Sequence, residues 1–270
     1  MLLKLAAVYA METKADFDVV VKGPLSKVLN TLQALGYEGV ELNIPNPFKV
    51  EADVLLSTLS TYGLEVPAIS TGLSYVVYSY SLSSTNYELR KRSIEFFKKY
   101  IDLSIELNSG KVVVGLARGR CRGDECPEAR RLLIEALEEL DEYAGSRGAI
   151  LLLEPLNRYE TNLINTLSEA LEIVKKLKNT KILLDTFHTM LEEDNVYDAI
   201  LRAGSSIGHV HLADSNRRAP GLGMLDWERI VYRLIKAGYQ GFMSVEARSN
   251  GMGFEEMLRI SMETLRKVLI

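Results

Sequence analysis

Residues 149–160 read AILLLEPLNRYE: five apolar residues, a glutamate at 154, then a proline and a polar loop. So short an apolar run, bounded by Gly148 and Pro155, reads as a buried strand that ends in an acid. The same design recurs downstream. KILLDTFH (181–188) closes its apolar run on Asp185, HVHLAD (209–214) offers His211, and GFMSVEAR (241–248, with Gly241 at its start) ends on Glu246. Upstream, Leu2–Val8, Gly39–Leu42, Glu65–Ile69 and Lys111–Val114 are candidate strands of the same kind. Between the runs the apolar period lengthens to 3.6, as in Ala129, Leu132, Leu133, Ala136, Leu137 and Leu140, or Phe254, Met257, Leu258, Met262 and Leu265. Pro24 and the CPEARR segment mark helix starts, and Gly36, Gly63, Gly148 and Gly238 stand where helices should end. Strands alternating with helices imply a parallel sheet. Eight such units without a linker or composition break point to one α/β domain over 1–270, a (β/α)₈ barrel. A doubly wound sheet is the alternative, but no GxGxxG follows the first strand and no GxxxxGK[ST] occurs.

The composition suits a large packed core: 270 residues, 47% hydrophobic and 25% charged, with few Pro and Gly. Acidic residues outnumber basic ones by 36 to 32, which argues against nucleic acid as a partner, since a phosphate backbone calls for a basic face. The longest purely apolar stretches, such as Ala149–Leu153, fall far short of a membrane helix. The N-terminal MLLKLAAVYAMETK lacks a basic leader region and a clear cleavage site, so it reads as a first strand of a cytoplasmic protein. Cys121 and Cys126, alone in RCRGDECPE, are too few for a zinc site and read as two loop thiols, with a local disulfide as the alternative.

In a barrel, functional groups belong at the C-terminal ends of the strands. One strand-end acid usually caps the next helix. Metal-capable side chains at four consecutive strand ends, Glu154, Asp185, His211 and Glu246, instead converge on one point. Three carboxylates and one imidazole suit Mn²⁺ first, with Mg²⁺ or Co²⁺ as alternatives. The chain has three histidines. His209 lies two residues before His211 and therefore faces the same side, one layer deeper, as a supporting residue. His188 falls in the loop above the barrel, placed either to cap or to donate to a substrate oxygen.

Together EPLNRYE, LLDTFH, HVHLADSNRRAPGLG and SVEAR resemble the xylose isomerase-like TIM barrels, and among them the ketose 3-epimerases that act on D-tagatose and D-psicose (allulose). The resemblance implies metal ligation by Glu154, Asp185, His211 and Glu246, and substrate contacts from Glu160, His188 and Arg217. It implies a sugar substrate and a homodimer or homotetramer. The loop after strand four departs from the family: Gly115–Arg120 stands where those enzymes carry a substrate-stacking tryptophan, and Trp227 lies instead at a later helix start.

The expected reaction is epimerisation of a ketose at C3. The C3 proton is acidic because the C2 carbonyl takes up the charge, giving a cis-enediolate. Glu154 and Glu246 would act as base and acid on opposite faces, with Asp185 and His211 as metal anchors. Within the same superfamily, an aldose–ketose or hydroxypyruvate isomerase and an inosose dehydratase are the alternatives; a non-catalytic sugar-binding barrel is the alternative of another class. Arg118 and Arg120 read either as partners for a phosphorylated or acidic substrate or as solvent-facing charges. Tyr75, Tyr78 and Tyr80 in the Thr71–Asn86 loop read either as a cover for the sugar or as packing at the barrel rim.

Overall fold

A computed structural model describes residues 3–11, 14 and 17–269. Eight parallel strands close into a barrel in chain order: β1 Lys4–Ala10, β2 Gly39–Asn43, β3 Ile69–Ser70, β4 Lys111–Val114, β5 Ile150–Leu153, β6 Thr180–Asp185, β7 Ile207–Leu212 and β8 Phe242–Val245. Parallel pairing of β1 with β8, Lys4 against Phe242 through Ala7 against Val245, makes the closure. The outer helices are α1 Leu25–Leu35, α2 Ala52–Thr61, α3 Gly72–Tyr78, α4 Tyr87–Glu106, α5 Cys126–Arg147, α6 Leu167–Val174, α7 Thr186–Glu192, α8 Val196–Ala203, α9 Trp227–Lys236 and α10 Phe254–Arg266. Two helices stand after β3 and two after β6, so ten helices serve eight strands among the described residues. None is long and apolar enough to cross a membrane.

The expected strand at 65–69 is shorter than its sequence suggests. Pro67 interrupts it, leaving Glu65 as an isolated bridge to Gly39 while regular pairing begins at Ile69. Leu2, expected at the start of the first strand, lies outside the described residues. Gly36 and Gly148 end α1 and α5 in the left-handed conformation, with φ of 83° and 72°.

Strand parity decides where the site can form. Leu151 and Leu153 belong to the main core shared with the helices, whereas Leu152 packs with Ala68, Val113 and Leu183 in a separate cluster. Two residues beyond Leu152 and Leu183 on the same faces stand Glu154 and Asp185. At this level the barrel interior is apolar on the side of β3 to β6 and polar on the side of β2, β7 and β8, with Leu183 paired to His209. Glu41, His209 and Ser244 are fully buried, and the strand-end acids rise above them.

Candidate active site

Glu154, Asp185, His211 and Glu246 each present a ligand atom within 4.8 Å of the others. They come from four adjacent strands, β5 to β8, so Glu154 and Glu246 stand at the ends of the arc with Asp185 and His211 between them. His211 Nδ1 lies 3.7 Å from Glu154 Oε1 and 3.5 Å from Glu246 Oε2. Asp185 does two jobs. Its Oδ1 accepts from the backbone N–H of Phe187 (2.7 Å) and His188 (2.9 Å), capping α7, which leaves the other oxygen for a ligand. Crowding these acids together is costly. Burial, followed by the charges of Glu154 and Glu246, pushes the Asp185 carboxyl up to about 7. Burial and then Glu246 also raise Glu154 against the pull of His211.

A divalent cation fits this donor set. Glu154 Oε1 and His211 Nδ1 are buried without any hydrogen-bond partner, and a buried, unpaired acceptor is otherwise unfavourable. Three carboxylates and an imidazole supply the charge and oxygen-rich coordination that a hard divalent ion takes.

Beneath the cluster lies a residue that sequence reasoning missed. Glu41 on β2 is fully buried; its Oε1 is 2.9 Å from His211 Nε2 and its Oε2 is 2.8 Å from His209 Nε2. Burial alone would raise its carboxyl, but His211 and then His209 reverse the sign and hold it well below the usual range. The ionised Glu41 anchors the His211 Nε2–H, which turns Nδ1 toward the three acids. His209 also approaches Ser244 Oγ at 3.1 Å, and Ser70 Oγ donates to Glu41. The available signal was strand parity: in GVELN, Glu41 and Asn43 alternate with Val40 and Leu42, which reads as a polar inner face.

The three expected substrate contacts, Glu160, His188 and Arg217, come together as one network beside the acids. Asn157 N donates to His188 Nδ1 at 3.2 Å, and Asn157 Nδ2 lies 2.7 Å from the same atom. An accepting Nδ1 places the ring hydrogen on Nε2, which faces Glu154 Oε1 at 4.0 Å and has no hydrogen-bond partner. Burial, then the Arg217 and Arg118 charges, hold His188 well below its ordinary range, so it is a neutral donor. Glu160 accepts from Asn157 Nδ2 (3.1 Å) and from Arg217 Nη1. Arg217 is mostly buried, has φ of 60°, and places its guanidinium 5.1 Å above the Phe187 ring. The loop bearing Arg217 is gathered by Asp214, which accepts from Gly221 N, Leu225 N and Trp227 Nε1. Trp227 thus fastens that loop from behind.

The expectations for Arg118 and for free Cys121 and Cys126 change, whereas Arg120, Tyr78 and Tyr80 take readings that the sequence leaves open. Arg118 lines neither the cleft nor the surface. It is fully buried and donates to main-chain carbonyls. Arg120 is exposed and faces a separate groove with Ser81 and Ser83. Cys121 and Cys126 are not free thiols but a disulfide, their Cα atoms 5.0 Å apart across one turn. Tyr78 and Tyr80 cluster with Phe96, which in turn meets Phe48, so they pack at the rim. Among the residues lining the cleft above the acids the aromatic ring is Phe17, with Asn43, Gly72, Leu116 and Leu156 nearby.

A family model described as xylose isomerase-like TIM barrel matches residues 29–268. The chain belongs to this family. The L-ribulose 3-epimerase of Mesorhizobium japonicum is 31% identical over 230 residues, covering 84% of this chain and 76% of its own. The 3-dehydro-D-guloside 4-epimerase of Escherichia coli is 35% identical over 139 residues, covering 51% and 53%. In structure, the D-allulose 3-epimerase from Methylomonas sp. in complex with D-allulose superimposes with a TM-score of 0.83 at 22% identity, covering 98% of this chain and 97% of that one. The candidate site stands at the carboxyl ends of the strands, where a (β/α)₈ barrel places its functional groups.

Proposed function

We propose that this xylose isomerase-like TIM barrel is a metal-dependent sugar epimerase that inverts C3 of a ketose, with Glu154 and Glu246 as its acid–base pair. The observation that carries the reading is the pair of buried glutamates at opposite ends of the ligand arc, Glu154 Oε1 being unpartnered. Relatives that are 3-epimerases of ketoses over four-fifths of the chain support it. A cation held by Glu154, Asp185, His211 and Glu246 would supply Lewis acidity toward the charge that develops beside C3. Mn²⁺ is the first choice for these donors, with Mg²⁺ and Co²⁺ next. One glutamate removes the C3 proton from one face, and the other returns a proton to the opposite face. His188 donates its Nε2–H to a substrate hydroxyl or carbonyl. Arg217, fixed by Glu160, offers guanidinium donors to further sugar oxygens, and Phe17 supplies an apolar wall. The proposal includes a homodimeric or homotetrameric assembly in the cytoplasm.

Epimerisation at C4 of a 3-keto sugar is the second reading, favoured by the match to the 4-epimerase. The chemistry is the same, one carbon along. A panel of free ketoses, phosphorylated ketoses and 3-keto sugars, incubated with Mn²⁺ in D₂O and read by NMR, decides between them. Deuterium is expected at C3 and not at C1. Exchange at C4 alone supports the second reading, exchange at C1 an aldose–ketose isomerase, and no exchange a sugar-binding barrel without catalysis.

A further inference from the structure

The loops after β4 and β5 wall one side of the cleft, and a seam of side-chain hydrogen bonds with buried Arg118 at its centre fastens them together. Arg118 is fully buried, yet no carboxylate forms an ion pair with it among the described residues. Its Nε donates to the Gly115 carbonyl (3.0 Å), and its Nη1 donates to the carbonyls of Leu163 (3.2 Å) and Ile164 (3.0 Å). Ile164 has φ of 59°. A β-branched residue holds that left-handed conformation only when its surroundings impose it. Here two successive carbonyls turned onto one guanidinium nitrogen do so.

The seam continues on either side. Thr161 Oγ1 donates to Gly119 O (2.9 Å), while Asn162 accepts from Cys121 N (3.1 Å) and donates to Cys121 O (3.0 Å). Asn165 Nδ2 closes the β5 loop on itself through Leu156 O (2.7 Å) and Thr161 O (2.9 Å). That closed loop delivers Asn157 and Glu160, the partners of His188 and Arg217. At the other end of the seam, Gly115 lies so near Glu154 that a Cβ there would meet Oε2 at 2.5 Å.

We infer that Arg118 is a positioning residue for sugar recognition: by joining Gly115 to Leu163–Ile164 it sets where Asn157 and Glu160 stand, and through them His188 and Arg217. The kinetic part of this inference rests on the epimerase reading; the structural part does not. A lysine keeps the charge but lacks the planar fork that reaches both loops at once. Arg120, two residues on and exposed, serves as the control.

The test uses the full chain carrying Arg118→Lys, Arg118→Met or Arg120→Ala. For both Arg118 variants, amide exchange across 157–165 should quicken roughly tenfold or more, and KM for the ketose should rise roughly tenfold, with kcat within about twofold and metal content unchanged. Arg120→Ala should match the wild type. If Arg118→Met does not fold, Arg118→Lys carries both measurements. Unchanged exchange in a folded variant overturns the inference. So does quicker exchange or a lower Tm with KM unmoved, which is what a merely structural arginine would show. If the wild type epimerises no sugar, the epimerase reading fails alone, and the exchange result still decides whether Arg118 holds the seam.

Discussion

Glu41 Oε1 and His211 Nε2 lie 2.9 Å apart, although 170 residues separate them in the chain. The contact orients the imidazole that faces Glu154 and Glu246 and leaves its Nδ1 without another partner. Supporting partners of this kind are typically worth 10–100-fold in metal affinity. Glu41→Gln should therefore retain the barrel but lose roughly that factor in Mn²⁺ affinity. Competition against a chelator measures it, and unaltered affinity would show that Glu41 is only barrel filling.

Removing the cation should weaken the whole C-terminal half, because its ligands come from four different strands. A ligand at 100 times its Kd stabilises the folded state by about 2.7 kcal/mol. Exhaustive chelation is expected to lower Tm and abolish turnover, with Mn²⁺ restoring both. Asp185→Ala and His211→Ala should show neither activity nor rescue. Full activity of metal-free protein, verified by elemental analysis, would remove the basis for the site.

The disulfide closes a small loop, since Cys121 and Cys126 are five residues apart. Chain-entropy arguments give a loop of that size about 2 kcal/mol, or about 4 °C in Tm for a chain of this length. Cys121→Ser with Cys126→Ser should show that loss by calorimetry, and a reductant should produce the same drop in the wild type but none in the double variant. An equal drop on reducing the double variant would assign the effect to something other than the disulfide.

What the sequence revealed follows from how local each feature is. Glu154, Asp185, His211 and Glu246 each end a short apolar run, and barrel closure then brings neighbouring strand ends together. Glu41 sits in mid-strand, and its two histidine partners are on β7, across β1 and β8; no nearby residue announces those contacts. Arg118 looks like any loop cation in GLARGR, because its partners are backbone carbonyls and carry no side-chain signature. The tyrosines at 75, 78 and 80 lie in a segment where helix α3 intervenes, and its short turn directs Tyr78 toward Phe96 and away from the cleft. Cys121 and Cys126 are brought within bonding range by a short helical turn after Arg122, which their spacing alone left open.

The sharpest prediction concerns Glu154 and Glu246 individually. If they act on opposite faces of C3, removing either carboxylate blocks turnover but need not block proton removal by the other. Glu154→Gln and Glu246→Gln keep the side-chain shape and one ligating oxygen, so metal content should fall less than in the alanine variants, and it is measured alongside. Each should lose about 10²–10⁴-fold in kcat, the usual contribution of a general base. In D₂O, each should still exchange the C3 proton of one epimer, and the two variants should exchange opposite epimers, because each retains the base of only one face. Full epimerase activity in either variant, or both variants exchanging the same epimer, would mean that the proton travels by another route.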